Sequence, residues 1–236
     1  ILHIKEGSHY EIADVSVLPY QHIAILGHGG SAVVEKVKDS VTNSVYARKV
    51  YKMLTGGRYQ VKEAYHREIQ TIRRLSPHPH IIRVFATYRT GRTLAVILHP
   101  VADGGDLASF LSHYRDLGDG DLVAQQSMKI ILNRAFGCLA KGLAFMHQKT
   151  IRHKDIKPHN ILIHQGSVVY TDFGLAKDYS NGSSTSEGHP GQFSRRYCSP
   201  EVADHGIRNR KSDIFSLGCV FLEMFATLFP GEIPNR

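Results

Sequence analysis

The sequence predicts an α+β fold of two lobes: a small lobe of antiparallel strands with one helix, and a mainly helical large lobe. Two observations support this division. Residues 20–98 hold five short strand-like runs broken by one helical pattern. After the turn-rich connector 100–105, the long patterns are helical. We therefore place a flank at 1–19, the small lobe at 20–98 and the large lobe at 99–236.

The first strands of the small lobe form a hairpin with a glycine turn. Strand-like runs at 20–26 and 32–38 flank the glycine cluster 27–30, and a third run covers 44–51. Helical spacing follows over 61–75, and Pro77 and Pro79 stop it. The apolar side of this helix consists of Ala64, Ile69, Ile72 and Leu75.

Two more strands, 81–88 and 93–98, precede the connector, and helices at 107–114 and 126–148 follow it. The longer helix is amphipathic through Ile130, Ile131, Leu139, Leu143 and Met146. The most apolar stretch, 214–229, contains Glu223 and is too short for a membrane span. We expect it to be a buried core helix, and we expect no membrane association.

Composition excludes several classes of protein. The net charge is +8, but the basic residues are spread along the chain without an aromatic stripe, so we expect no nucleic-acid partner. Three separated cysteines and the absence of a secretory signal favour a reducing, intracellular location, cytoplasmic or nuclear. The histidine pair around Pro79 indicates a turn rather than a metal site. The oligomeric state stays open.

The most informative segment is 151–162, which reads Ile-Arg-His-Lys-Asp-Ile-Lys-Pro-His-Asn-Ile-Leu, followed by Asp172-Phe173-Gly174. It supplies two carboxylates, an ammonium group and an amide close together in the sequence. Phosphoryl transfer from Mg-ATP to a hydroxyl requires such a set. These residues resemble the catalytic loop and the Asp-Phe-Gly loop of eukaryotic protein kinases. The order Lys-Pro-x-Asn is similar to that of the serine/threonine class.

This resemblance implies a bilobal protein-kinase-like fold and roles for individual residues. Asp155 would accept the proton of the substrate hydroxyl, and Lys157 would steady the γ-phosphate. Asn160 and Asp172 would bind Mg²⁺, and Phe173 would pack against His153. The implied cofactors are ATP and Mg²⁺, and the implied partners are protein substrates with Ser or Thr.

The small lobe carries a second part of the resemblance. Gly27, Gly29 and Val34 match the kinase glycine-rich loop, although alanine replaces its third glycine at position 32. Lys49 matches the lysine that contacts the α- and β-phosphates. Because an unpaired internal ammonium is costly, we expect Glu68 to be its ion-pair partner.

The same resemblance places the adenine contacts at Leu98, His99 and Val101, with Leu98 at the back of the pocket. Asp106 could contact the ribose or cap the following helix, and capping is favoured. The further side chains that would line the nucleotide site are Leu26, Ala47 and Leu162.

Several positions depart from the family pattern. Lys154 stands where the family has arginine and cannot form a bidentate fork, so control by activation-loop phosphorylation stays open. The candidate phosphorylation sites are Ser183, Ser184, Thr185 and Ser186, in a stretch that could equally be a polar linker.

The segment 194–201 resembles the substrate-docking stretch ending in Ala-Pro-Glu, with Ser199 for alanine. Ser194 would bridge Asp155 and Lys157, and Asp213 would brace the catalytic loop. Arg195 and Arg196 hint at an acidic docking partner. The arginine that pairs with Glu201 in the family is not present, so the chain is either a fragment or has a short large lobe.

Two other functions remain as alternatives. A pseudokinase or scaffold would bind ATP and partners without efficient transfer, although Lys49, Glu68, Asp155, Asn160 and Asp172 are all retained. A small-molecule kinase would generally lack the segments 199–201 and 213–218, because it has no peptide to dock.

Overall fold

The computed structural model describes residues 1–28, 32–52, 58–117, 120–180, 194–204 and 209–231. The chain divides into two compact units, Ile1–Pro77 with Ile82–Val101 (unit 1), and His78–Ile81 with Ala102–Arg236 (unit 2). The strands are β1 (His9–Glu11), β2 (Tyr20–His28), β3 (Ala32–Asp39), β4 (Val45–Lys52), β5 (Arg83–Thr90), β6 (Thr93–His99), β7 (Ile151–Arg152), β8 (Ile161–His164), β9 (Ser167–Tyr170) and β10 (Lys177–Asp178). The α-helices are α1 (Arg58–Leu75), α2 (Leu107–Leu117), α3 (Leu122–Gln148), α4 (Pro200–Ala203) and α5 (Arg210–Leu228).

Unit 1 is a six-stranded sheet in the order β1-β5-β6-β4-β3-β2, with α1 against it. The five predicted strands pair antiparallel, as expected. The sixth strand, β1, comes from the flank 1–19 and pairs parallel with β5. The antiparallel strands predicted for 20–98 are thus confirmed, and the sheet as a whole is mixed because the flank adds a parallel strand at its edge.

The N-terminal flank also completes a core on one face of the sheet. Ile4 and Leu18 are buried, and they pack in one cluster with Val37, Tyr46 and Ile97 from three strands. Backbone hydrogen bonds fix the segment, from Gly7 N to Phe85 O (2.7 Å) and from Thr87 N to Ser8 O (3.0 Å). Residues 1–19 thus contribute apolar burial, the main driving force of folding, to unit 1.

The alternation of side chains along β4 determines which of them lie on each face of the sheet. Successive strand side chains point to opposite faces. Tyr46 joins the cluster with Ile4 and Leu18. Lys49 and Tyr51, which have the opposite parity, contact Glu68 on α1. The period of two therefore directs both polar side chains toward the same helix.

Unit 2 is built around the long helix α3, which packs against α5, α2 and β9. Its N-terminus is capped by Asp121, whose carboxylate accepts from Ala124 N (2.9 Å). The hairpin β8–β9 turns through Gln165 and Gly166, both at positive φ, as two-residue hairpin turns require. Tyr170 at the end of β9 is fully buried and its hydroxyl donates to Leu139 O at 3.0 Å.

The core helix expected at 214–229 forms, but only one of its faces is buried. Helix α5 forms there and buries Leu217, Val220 and Met224. Its opposite face leaves Ile214 56% and Leu222 63% exposed. On α3, Ile130 is likewise 43% exposed and does not join the core. Within the described residues, no helix combines the length and apolarity needed to cross a membrane.

Two glycines of α3 give a matched test of the packing of this helix. A Cβ on Gly142 would lie 2.9 Å from the buried Tyr170 ring, whereas a Cβ on Gly137 would meet nothing within 4 Å. We expect Gly142→Ala to lower the free energy of unfolding by about 1–3 kcal/mol through overpacking. Gly137→Ala should raise it by up to about 1 kcal/mol through helix propensity. Chemical denaturation measures both, and equal effects of the two variants would contradict the packing around Tyr170.

Candidate functional site

Asp155 lies at the centre of a hydrogen-bonded cluster in unit 2. Its Oδ2 accepts from Lys157 Nζ (2.7 Å) and from Asn160 Nδ2 (2.9 Å), and its Oδ1 accepts from Ser194 Oγ (3.3 Å). Lys157 Nζ also donates to Ser194 Oγ at 3.1 Å, so the expected bridge through Ser194 is present. The Asp155 side chain is 11% exposed. Three donors thus fix a carboxylate that still reaches the surface.

Asp213 holds the backbone beneath this cluster. Its carboxylate accepts from the backbone N–H of His153 and of Lys154, both at 2.9 Å, and His147 Nε2 lies 3.1 Å away. Lys154 has φ 70°, a left-handed conformation that is unfavourable for a residue with a side chain. The brace predicted for Asp213 is therefore confirmed, and it stabilises a strained turn directly before Asp155.

Asp172 begins a second loop of unit 2 and also has a left-handed backbone, with φ 61°. The next residue, Phe173, is fully buried, and its ring centroid lies 4.8 Å from that of His153. His153 Nε2 in turn lies 3.0 Å from Thr171 O. The packing of Phe173 on His153 is as expected, and it ties the loop of Asp172 to the loop of Asp155.

A second polar cluster lies in unit 1. Lys49 Nζ donates to both Glu68 oxygens, at 2.9 and 2.8 Å, and the Glu68 side chain is 1% exposed. Tyr51 Oη also donates to Glu68. Burial first, and then the Glu68 charge, raise the pKa of Tyr51 well above its usual value, so the hydroxyl stays a donor. The ion pair expected between Lys49 and Glu68 is thus present, and it has a third member.

Sequence reasoning missed Tyr51, although a signal was available. Tyr51 is two residues from Lys49, and the period of a strand places both on one face. Its ring is edge-on to that of Tyr65 on α1, with centroids 5.6 Å apart. Tyr51 therefore links the strand and the helix that carry the ion pair.

The contribution of the Tyr51 hydroxyl can be measured against a matched tyrosine. Tyr51→Phe should lower the free energy of unfolding by about 1.5–3 kcal/mol, because a buried hydrogen bond to a charged group is lost. Tyr20→Phe is the control: its buried hydroxyl has no partner among the described residues. Its removal should be neutral or stabilising. A Tyr51→Phe protein as stable as Tyr20→Phe in urea denaturation would contradict the role of this bond.

The residues expected near the nucleotide are only partly brought together. Ala47 and Leu98 are buried and pair across β4 and β6, and Val34 pairs with both Gly27 and Lys49. Leu26, by contrast, is 48% exposed. Gly29 lies outside the described residues.

The connector residues adopt distinct roles in the structure. His99 Nδ1 lies 3.1 Å from Arg83 Nη2, and Val101 is half-buried. Asp106 accepts from Ser109 N (2.9 Å) and Ser109 Oγ (3.1 Å), which makes it the N-terminal cap of α2, the favoured expectation. Leu162 bridges to Asp106 and pairs with Val169.

The segment 194–201, for which substrate docking was predicted, forms a short turn followed by α4. Arg196 pairs with Glu223 at 2.9 Å, and Tyr197 Oη donates to the same oxygen at 2.9 Å. Glu201 accepts from Ser212 Oγ at 3.3 Å. The predicted phosphorylation sites at 183–186 lie outside the described residues.

Two polar clusters are therefore present: unit 2 holds an oriented carboxylate with a neighbouring lysine, and unit 1 holds a buried lysine–glutamate pair. Comparison with known families matches residues 20–235 to the protein kinase domain. The chain belongs to the protein kinase family. Members of this family generally use ATP and Mg²⁺ and act on protein substrates.

Curated relatives include serine/threonine kinases. Mitogen-activated protein kinase kinase 1 of Arabidopsis thaliana is 31% identical over 227 residues, covering 94% of this chain and 59% of the relative. Serine/threonine-protein kinase PrkC of Bacillus subtilis is 31% identical, covering 91% and 31%. Cyclin-dependent kinase 4 of Mus musculus is 31% identical, covering 87% and 67%. The chain thus spans little more than half of the plant relative and a third of the bacterial one.

Proposed function

We propose that this chain is a catalytically active serine/threonine protein kinase, with its kinase domain at 20–236 and with lobes at 20–98 and 99–236. It would transfer the γ-phosphoryl group of ATP to serine or threonine hydroxyls of proteins. The observation that carries the proposal is the orientation of Asp155 by Lys157, Asn160 and Ser194. This orientation supports catalysis, because a general base must be held within hydrogen-bonding reach of the proton that it accepts.

The proposed roles follow from the contacts of each side chain. Asp155 would orient the substrate hydroxyl and accept its proton as the oxygen–phosphorus bond forms and ADP leaves. Lys157, 2.7 Å from Asp155, would stabilise negative charge on the transferred group. Lys49, held by Glu68, would donate to the α- and β-phosphates.

The donor set also suits magnesium. Both hydrogen bonds that Asn160 donates to Asp155 use the amide nitrogen, which directs its oxygen elsewhere. Asp172 supplies a carboxylate, and Mg²⁺ prefers one or two such oxygens together with phosphate and water. Across the described ranges, no group of three or more His, Cys, Asp or Glu forms a closed metal site. We propose Asn160 and Asp172 as ligands for a metal that would neutralise phosphate charge.

Further nucleotide contacts are part of the same proposal. Leu26, Val34, Ala47, Leu98 and Leu162 would contact the nucleotide through apolar surface, and Gly27 and Gly29 through backbone N–H groups. His99 and Val101 would hold the adenine edge through the backbone. Asp106 could contact the ribose only through an oxygen that also caps α2.

The test is phosphate transfer from labelled Mg-ATP to degenerate Ser, Thr and Tyr peptide libraries, with Asp155→Ala as the matched variant. We expect label on Ser or Thr, and a loss of at least about 10³-fold in Asp155→Ala, since both base and orientation are removed. Nucleotide binding, measured by calorimetry, should be retained in the variant.

Other results would contradict the proposal. A folded protein that binds Mg-ATP without labelling any peptide would support a scaffold. Label on a small alcohol but on no peptide would indicate a small-molecule kinase. Label that survives in Asp155→Ala would remove Asp155 from the mechanism.

A further inference from the structure

A cavity of about 600 Å³ opens on unit 1, and neither Lys49 nor Glu68 is among its described lining residues. It lies among α1, the edge strand β1 and the turn between β5 and β6. The basic side chains that line it are His9, Lys62, His66, Arg89 and Arg92, and Glu11 is the single carboxylate among its described lining residues. We refer to these residues as the basic pocket.

The charges of the basic pocket are not balanced within it. Glu11 pairs with Arg89 at 3.7 Å, and both side chains are largely exposed. Lys62 and Arg92 add two more permanent positive charges, and both are exposed. Like charges held together repel each other, so the pocket has a net attraction for an anion.

The positive charge of the basic pocket also affects His66. Its pKa is lowered, first by burial and then by the positive charge of Lys62. An anion bound among these groups would oppose that charge and raise the pKa of His66.

Two features favour a peptide over a free anion. The cavity is far larger than a phosphate group, and Leu94 and the Tyr65 ring add apolar wall. Tyr65 is 2% exposed and packed edge-on to Tyr51, whereas Tyr59, which also lines the pocket, is 74% exposed and presents an aromatic face on which a base could stack, so an oligonucleotide is among the competing ligands to be measured. In addition, β1 is the outermost strand of the described sheet, and an extended peptide can add to such an edge.

We propose that the basic pocket binds a phosphorylated segment of a partner protein, with the phosphate among Lys62, His66 and Arg92 and the chain running along β1. Phosphate oxygens would accept charge-assisted hydrogen bonds from these side chains, which are stronger than neutral ones. This site is separate from the proposed catalytic residues and does not depend on whether the chain transfers phosphate.

The experiment measures binding without ATP. Fluorescence anisotropy with labelled nine-residue libraries carrying a central phosphoserine or phosphothreonine is compared with the same libraries unphosphorylated. We expect at least about 10-fold tighter binding of the phosphorylated libraries, and at least about 5-fold weakening by Lys62→Glu or by Arg92→Glu. Lys5→Glu, an exposed change of equal charge outside the pocket, should have no effect. In NMR titration, the pKa of His66 should rise on binding.

Three outcomes would overturn the proposal. The first is equal binding of phosphorylated and unphosphorylated libraries. The second is a phosphopeptide preference that Lys62→Glu weakens no more than Lys5→Glu does. The third is a Lys62-dependent affinity for anionic lipid vesicles or a single-stranded oligonucleotide without peptide preference, which would assign the pocket to those ligands. Thermal unfolding of each variant confirms that it is folded.

Discussion

Lys49→Met is expected to lower the free energy of unfolding by about 3 kcal/mol, because it leaves the carboxylate of Glu68 buried without its cation. The Glu68 side chain is 1% exposed and its two oxygens receive Lys49 at 2.9 and 2.8 Å. The hydroxyl of Tyr51 remains as a donor and offsets part of the loss. Urea denaturation at neutral pH measures the change.

A double-mutant cycle separates this stability effect from catalysis. In Lys49→Met with Glu68→Gln, no buried charge remains, and glutamine still accepts from Tyr51. We expect the double variant to regain most of the lost stability, with a coupling energy of about 2 kcal/mol, while phosphoryl transfer stays at least about 100-fold reduced.

The exposed pair Arg67 and Glu63, 4.0 Å apart on the same helix, provides the control. The cycle of Arg67→Met with Glu63→Gln should give a coupling below about 0.5 kcal/mol, as for other surface pairs. Similar coupling energies for the two pairs would show that burial does not set the strength of the Lys49–Glu68 interaction.

Asp213→Ala should produce the second large effect, on both stability and activity. The change removes two backbone hydrogen bonds of 2.9 Å from the turn that holds Lys154 at φ 70°. We expect a loss of about 2–4 kcal/mol in unfolding free energy, because buried N–H donors are left unsatisfied and the strained turn is released. Phosphoryl transfer should fall at least about 100-fold, since Asp155 follows this turn directly.

Asp103→Ala is the matched control for Asp213. The Asp103 carboxylate also accepts from a backbone N–H, that of Gln165 at 3.0 Å, but its side chain is 58% exposed. Water can replace that bond, so the variant should keep its activity and lose well under about 1 kcal/mol. Full activity in a folded Asp213→Ala protein would mean that the turn keeps its shape without the brace.

Short motifs allowed part of the site to be predicted from the sequence. The contacts of Ser194 with Asp155 and Lys157, of Phe173 with His153, and of Asp213 with the turn before Asp155 were expected and are present. Each of these contacts joins residues that match kinase motifs, and the sequence shows those motifs at the spacing that the family requires. The catalytic and binding roles of these residues stay predictions.

Other features were out of reach for physical reasons. The strand β1 is only three residues long, too short for an alternating pattern to be recognised, and its pairing with β5 depends on contacts distant in the sequence. The exposed face of α5 could not be predicted either. An apolar side chain such as Leu222 favours burial, but the sequence does not show whether another element packs over it. The basic pocket combines β1, α1 and the β5–β6 turn and has no local signature.

The parallel strand β1 also shows that the sheet of unit 1 extends N-terminal of residue 20. The match to the kinase family starts at residue 20, after Ile4, Leu18 and the whole of β1. A protein trimmed at that boundary would expose the apolar cluster beneath these residues and free the hydrogen-bonding edge of β5, a template for self-association. The range matched to the family therefore leaves out residues that pack on unit 1, and recombinant proteins should retain residues 1–19.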